Sequence, residues 1–186
     1  MPLKSRKLAV VGARSVGKSS LIVRFVEDHF LDSYYPTLEN QFGKNLNIQN
    51  QDYAIEILDT AGQDENSILN EKHIVGVHGY VLVFSVTSRH SFETIQHVCN
   101  KILNSIGSDD IPMIFVGNKC DLEYQRQVDK QEGEKLAERY KCKYMEISAK
   151  DNLNINQTFE SLITDIEMMH NPPVMAKGKY ERCIIV

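Results

Sequence analysis

Residues 12–19, GARSVGKS, constrain this chain more than any other stretch. They have the form G-x-x-x-x-G-K-[ST]. An apolar run, KLAVV at 7–11, precedes them, and Leu21, Ile22, Phe25 and Val26 follow at helical spacing. A glycine loop between a buried strand and a helix N-terminus turns its backbone N–H groups inward, and the helix dipole adds to their pull on an anion. The expected ligand is a nucleotide phosphate chain. The N–H groups of Arg14, Ser15, Val16, Gly17, Lys18 and Ser19 would converge on its β-phosphate, with Ser20 beside them. Lys18 would bridge the β- and γ-phosphates, and the Ser19 hydroxyl would bind Mg²⁺. The bland alternative is a glycine turn before an ordinary helix.

The rest of the chain alternates strand and helix patterns. Residues 41–48 and 53–59 read as a hairpin around QNQD. Residues 80–86, 112–117 and 143–147 read as further strands, the first two near-continuously apolar and buried. Helical periodicity covers 18–28, 91–106, 129–140 and 154–169, where Pro172 and Pro173 stop it. Residues 30–40 read as a loop and 60–76 as irregular with a short helix. Apolar strands alternating with helices predict an α/β fold with a mostly parallel sheet and helices on both faces. Residues 1–169 form the expected domain, and 170–186 read as a flexible tail reaching roughly 20–25 Å.

Composition narrows the function. A net charge of −4 gives no electrostatic footprint for nucleic acid. No apolar run reaches the ~18 residues of a membrane span, and the N-terminus reads as lacking a signal peptide. The expected compartment is therefore the cytosol, where Cys99, Cys120 and Cys142 would be buried or half-buried thiols without disulfides. The six histidines show no metal-ligand spacing.

Four more elements follow in the order a nucleotide site needs. Thr37 can supply a second Mg²⁺ ligand, and Asp59 can hold the metal through water. DTAG at 59–62 puts the Gly62 N–H where a γ-phosphate would be. NKCD (118–121) and SAK (Ser148, Ala149, Lys150) each follow a strand. These positions are the C-terminal ends of parallel strands, where α/β sheets bind ligands. Asp121 identifies the base, because its carboxylate can accept from guanine N1–H and the 2-amino group, whereas adenine offers neither donor. Lys119 can lie along the base, Asn118 can tie this loop to the phosphate loop, and the Ala149 N–H would meet O6.

GARSVGKS, YYPT, DTAGQ, NKCD and SAK resemble the five nucleotide motifs of the Ras superfamily over about residues 5–170, and RSVGKSS, SYYPTLEN and DTAGQDENSI look most like its Rheb branch. The resemblance implies a P-loop NTPase of the Ras-like type: a six-stranded mostly parallel sheet with one antiparallel edge strand, flanked by five helices. It implies a monomeric GTPase that switches between GTP and GDP, with Mg²⁺ as cofactor and the GTP form activating TOR kinase signalling for cell growth. By the same resemblance Tyr34 covers the phosphates, Leu31 and Asp32 join the nucleotide contacts, and Gln63 orients the attacking water. Tyr35, Leu38, Glu39 and Asn40 become candidate effector contacts, and the activating partner is a tuberin-like protein supplying a carboxamide. Residues 32–40 and 62–75 are polar enough to be segments ordered by the γ-phosphate.

Arg14 stands where Ras itself has glycine. It either points outward, lending charge on the phosphate side, or crowds the space where water, Gln63 and an arginine finger would meet. Hydrolysis in Ras is already slow, roughly 10⁻⁴ per second, and a finger contributes ~10³ to 10⁵. The terminus, Cys183-Ile184-Ile185-Val186, matches C-a-a-X, so Cys183 is the expected substrate of a prenyltransferase. The lipid is farnesyl by the resemblance, with geranylgeranyl open, and carboxyl methylation goes with it. One lipid plus Lys177, Lys179 and Arg182 gives weak, reversible attachment to the cytoplasmic face of internal membranes, with part of the protein in the cytosol. Two other readings stand beside this one: a nucleotide-loaded interaction protein with negligible hydrolysis, and an ATP-using P-loop enzyme, against which NKCD argues.

Overall fold

The computed structural model describes residues 2–30, 39–63, 74–108 and 110–171. Leu31, Asp32, Tyr34, Tyr35, Thr37, Leu38 and Cys183, with the rest of the tail beyond 171, lie outside the described residues, as does most of the segment expected to hold a short helix.

Strand β1 (Lys4–Val11) leads through a loop to helix α1 (Lys18–Glu27). Strands β2 (Glu39–Ile48) and β3 (Gln51–Thr60) follow as a hairpin. Then come β4 (Gly79–Ser85), α2 (Arg89–Ile106), β5 (Met113–Asn118), α3 (Lys130–Arg139), β6 (Lys143–Glu146) and α4 (Ile155–His170). The strands form a single six-stranded sheet in the order β2-β3-β1-β4-β5-β6. Only the β2–β3 pair is antiparallel, which leaves β2 as the antiparallel edge strand.

Alternation of side chains along each strand divides the core in two. Leu8, Val10, Val81, Val83, Ile114 and Val116 face α1 and α4, whereas Ala9, Val11, Tyr80, Leu82, Phe84 and Phe115 face α2 and α3. The central strands are therefore apolar on both sides, as the sequence pattern requires. Phe25 of α1 stacks on Phe159 of α4, with centroids 3.9 Å apart, and closes the first face. No helix among the described residues is long and apolar enough to cross a membrane. Four α-helices are present among them, two on each face, where the resemblance implied five in all.

Three boundaries differ from the sequence pattern. β2 starts at Glu39, so Glu39 and Asn40 are strand residues paired with Thr60 and Asp59 rather than loop residues. Their pairing comes from the backbone of β3, which polar side chains do not advertise. The hairpin turn is two residues, Gln49 and Asn50, both in the left-handed region at φ 51° and 64°. Such a turn matches the twist of the strands. β1 starts three residues earlier than KLAVV. Its polar start is held because Lys4 and Arg6 both bond Glu167 of α4.

Helix α3 shows how local charge fixes an element. Glu132 reaches back to the Asp129 N–H at 3.1 Å and accepts Arg89 Nη1 and Nη2 at 2.6 and 2.8 Å. The Arg89 hydrogen bonds, with the Asp129 N–H second, pull the Glu132 pKa down to about 2 from 4.5. Its folded value lies below its unfolded one, so its contribution to stability is complete above pH 4.5 and lost as pH falls toward 2. In Arg89→Ala, a carboxyl NMR titration should move Glu132 upward toward 4.5.

Candidate functional site

The loop between β1 and α1 is pressed onto the strand ends beneath it. A Cβ at Gly12 (φ +151°) would lie 2.1 Å from the Val83 carbonyl oxygen, and one at Gly17 (φ +92°) would lie 2.3 Å from Asn118 Nδ2. Val16 is buried under the loop, while Arg14 and Ser15 are exposed on it. Lys18 curls back and donates to Gly12 O at 3.0 Å and Ala13 O at 2.9 Å. Burial pushes its pKa down to about 8, with Asp59 opposing. Its ammonium carries three donors, and these two carbonyls take two of them.

Asp59, at the end of β3, is fully buried. Ser19 Oγ donates to its Oδ2 at 2.6 Å. Its Oδ1 is buried without a hydrogen-bond partner among the described residues. Burial raises its pKa, opposed by the Ser19 hydrogen bond and by Lys18. Lys18 and Asp59 are thus a cation and an anion held where each is short of solvation, an arrangement that ligands of the opposite charge complete.

The segment after Asp59 folds back on the loop. Thr60 Oγ1 donates to Val10 O at 2.9 Å, and the Gln63 backbone N–H donates to Gly12 O at 3.0 Å. Gly62 sits against Arg14 so closely that a Cβ there would meet Arg14 Cγ at 2.2 Å. Arg14 is exposed, as the outward reading expects, yet its stem occupies the flank between the loop and DTAGQ, as the crowding reading expects. Gln63 is only 7% exposed.

The third part joins two loops through one amide. Asn118 Nδ2 donates to Val16 O at 2.8 Å, and its Oδ1 accepts from Lys119 N at 2.8 Å and Ala149 N at 3.3 Å. The N–H assigned to guanine O6 is therefore held here by a long bond to Asn118. Lys119 Nζ donates to Ser15 O at 2.8 Å, and burial lowers its pKa against the pull of Asp121. Asp121 is half-buried in the turn after β5. Ser148 is buried, with Oγ accepting from Asp151 N at 3.0 Å. Lys150 is exposed, and Ser20 is half-buried on α1. No sequence motif points to Arg24, whose Nε and Nη2 donate to the carbonyls of Ala149 and Lys150, each at 3.0 Å. Some 125 residues separate Arg24 from its first partner, so no local pattern could reveal it.

A cavity lies elsewhere among the described residues, at the opposite end of the sheet. Its volume is about 740 Å³, and Leu103, Pro112, Tyr140, Lys143 and Met169 are among the residues that line it. The C-terminal turns of α2, α3 and α4 meet there, and that end of a helix dipole repels phosphate. The chemistry for a nucleotide is at the other end.

Glycine loop, buried lysine, serine–aspartate pair and asparagine-linked base loops together define a P-loop GTPase of the Ras type. A model of the Ras family matches residues 7–168, and the chain belongs to that family. It is 53% identical over 184 residues to GTP-binding protein rhb1 of Schizosaccharomyces pombe, covering 99% of this chain and 98% of that protein. It is 51% identical over 184 residues to small monomeric GTPase RhbA of Aspergillus fumigatus, covering 98% and 97%. Identity to the human GTP-binding protein Rheb is 46% over 175 residues, covering 94% and 95%. The resemblance to the Rheb branch is met, and the chain is a small GTPase that binds guanine nucleotide and hydrolyses GTP.

Proposed function

We propose that this GTPase is a membrane-tethered switch with slow intrinsic hydrolysis, whose GTP form turns on TOR kinase signalling. The observation that carries slow hydrolysis is the packing of Arg14 against Gly62 beside a buried Gln63. A glutamine tucked into the protein does not orient water, and an arginine stem in that flank excludes an incoming finger. The activating partner is a tuberin-like protein supplying a carboxamide. The effector surface is Tyr35, Leu38, Glu39 and Asn40, the last two at the start of the edge strand. Prenylation at Cys183 places the protein on the cytoplasmic face of internal membranes, with a cytosolic fraction.

The residues fit Mg²⁺ as cofactor. The Ser19 hydroxyl and the Asp59 carboxylate with its orphaned oxygen are hard oxygen donors. Among the described residues no three His, Cys, Asp or Glu side chains form a metal cage, which suits a cation that shares its coordination with phosphate and water. Ser19 and Thr37 would hold the ion directly and Asp59 through water. When bound, the ion neutralises charge on the β- and γ-phosphates. Lys18 spends its remaining donor on the phosphate chain, while Tyr34 covers it. Leu31, Asp32, Lys119 and Lys150 line the nucleoside.

Mass analysis of nucleotide released from the purified chain tests the ligand: GDP or GTP is expected, and an adenine nucleotide overturns the reading. Arg14→Gly tests the rate. Single-turnover hydrolysis should rise about fivefold, the change for roughly 1 kcal/mol of steric exclusion relieved. An unchanged rate, with and without activator, removes Arg14 from the account. The buried Gln63 also favours a second reading, a nucleotide-bound interaction protein with negligible hydrolysis. Multiple-turnover phosphate release in the presence of activator separates the two.

A further inference from the structure

Arg24 belongs to no nucleotide motif, yet its guanidinium is spent on the loop after β6. Nε donates to Ala149 O and Nη2 to Lys150 O, each at 3.0 Å, while Nη1 donates to Asp28 O at 3.1 Å. A planar fork spanning two successive carbonyls is geometry that arginine supplies and other side chains do not. A second tie joins the same elements, with Asn152 Nδ2 donating to Asp28 Oδ1 at 3.2 Å. The base of the loop closes on itself through the Ser148 and Leu153 backbones, at 3.3 and 3.0 Å. Its crown is held from two sides, by Asn118 through the Ala149 N–H and by Arg24 through the carbonyls.

The peptide plane gives this grip a direction. The Ala149 carbonyl and the Lys150 N–H belong to one trans peptide, so they point to opposite sides. Holding the oxygen against α1 aims the Lys150 N–H away from it. The next peptide works the same way: Lys150 O bonds Arg24, while the Asp151 N–H bonds Ser148 Oγ at 3.0 Å.

We propose that Arg24 is a positioning residue for purine recognition, which fixes the backbone donors of the 148–150 loop against guanine O6. This rests on the reading that this loop meets O6. Removing Arg24 frees the crown to rotate, and the bond to O6 weakens while the contacts of Asp121 and of the phosphate loop persist.

The test measures dissociation of two ligands from the full chain in Mg²⁺. One is GDP. The other is 6-thioguanosine diphosphate, which keeps N1–H and the 2-amino group but puts a weak sulfur acceptor in place of O6. In Arg24→Met the GDP off-rate should rise up to about tenfold, the weight of the one neutral hydrogen bond to O6. The off-rate of the thio analogue should rise less than about threefold, because little of that bond is left to lose. Arg24→Lys, which keeps a donor without the fork, should fall between. A loss of fold stability alone would accelerate both ligands by the same factor, and that outcome, in a wild type that discriminates between them, overturns the role of Arg24 while the O6 reading stands. If the wild type releases both at one rate, the loop does not read O6 and the proposal falls with that reading.

Discussion

Asp121→Asn should weaken GDP binding by about 10⁴-fold, the scale on which sites built for a specific hydrogen-bond pattern reject the wrong partner. The half-buried carboxylate would offer two acceptors to two donors on guanine. An asparagine keeps one acceptor and turns an N–H₂ toward the guanine 2-amino group, donor against donor. Xanthine presents a carbonyl at that position, so the variant should regain most of the lost affinity for xanthosine diphosphate. Displacement of a fluorescent GDP by either nucleotide measures both effects. Retained GDP affinity in a folded variant would mean that Asp121 does not read the base.

Gly12→Ala should cost about 3–5 kcal/mol of folding stability, from backbone strain and overpacking together. That is a large share of the total for a domain of this size. The added Cβ would lie 2.1 Å from Val83 O and 3.1 Å from Val83 C. Both are backbone atoms of β4 in the middle of the sheet, so neither can swing aside. Gly107→Ala is the control: its φ of +70° is also positive, but nothing lies within 4 Å of the new Cβ. It should lose only about 1–2 kcal/mol, the conformational term alone. Urea unfolding of nucleotide-free protein compares the two, and equal losses would show that Val83 yields.

The residues of the site were legible wherever chemistry is carried by type and spacing, as in GARSVGKS, NKCD and SAK. The doubly buried strands were legible for the same reason, because Leu8 to Val11 and Tyr80 to Phe84 need apolar surroundings on both faces. What escaped was whatever depends on the backbone of a distant segment. Glu39 and Asn40 are strand residues only because β3 pairs with them. Gln49 and Asn50 turn in two residues because both adopt positive φ, which glutamine does not announce. Arg24 looks like an ordinary helix-surface arginine until Ala149 and Lys150 are folded beside it. The contest over Arg14 could not be decided in one dimension either, since its exposure and its contact with Gly62 concern different parts of one side chain.

The single amide of Asn118 fastens the phosphate loop at Val16 and the base loop at Ala149. The two loops expected to hold the two ends of a nucleotide are thereby joined through one side chain, with Lys119 Nζ on Ser15 O as a second tie between them. A displacement of Asn118 itself, rather than of either loop alone, would therefore disturb both halves of the cradle at once.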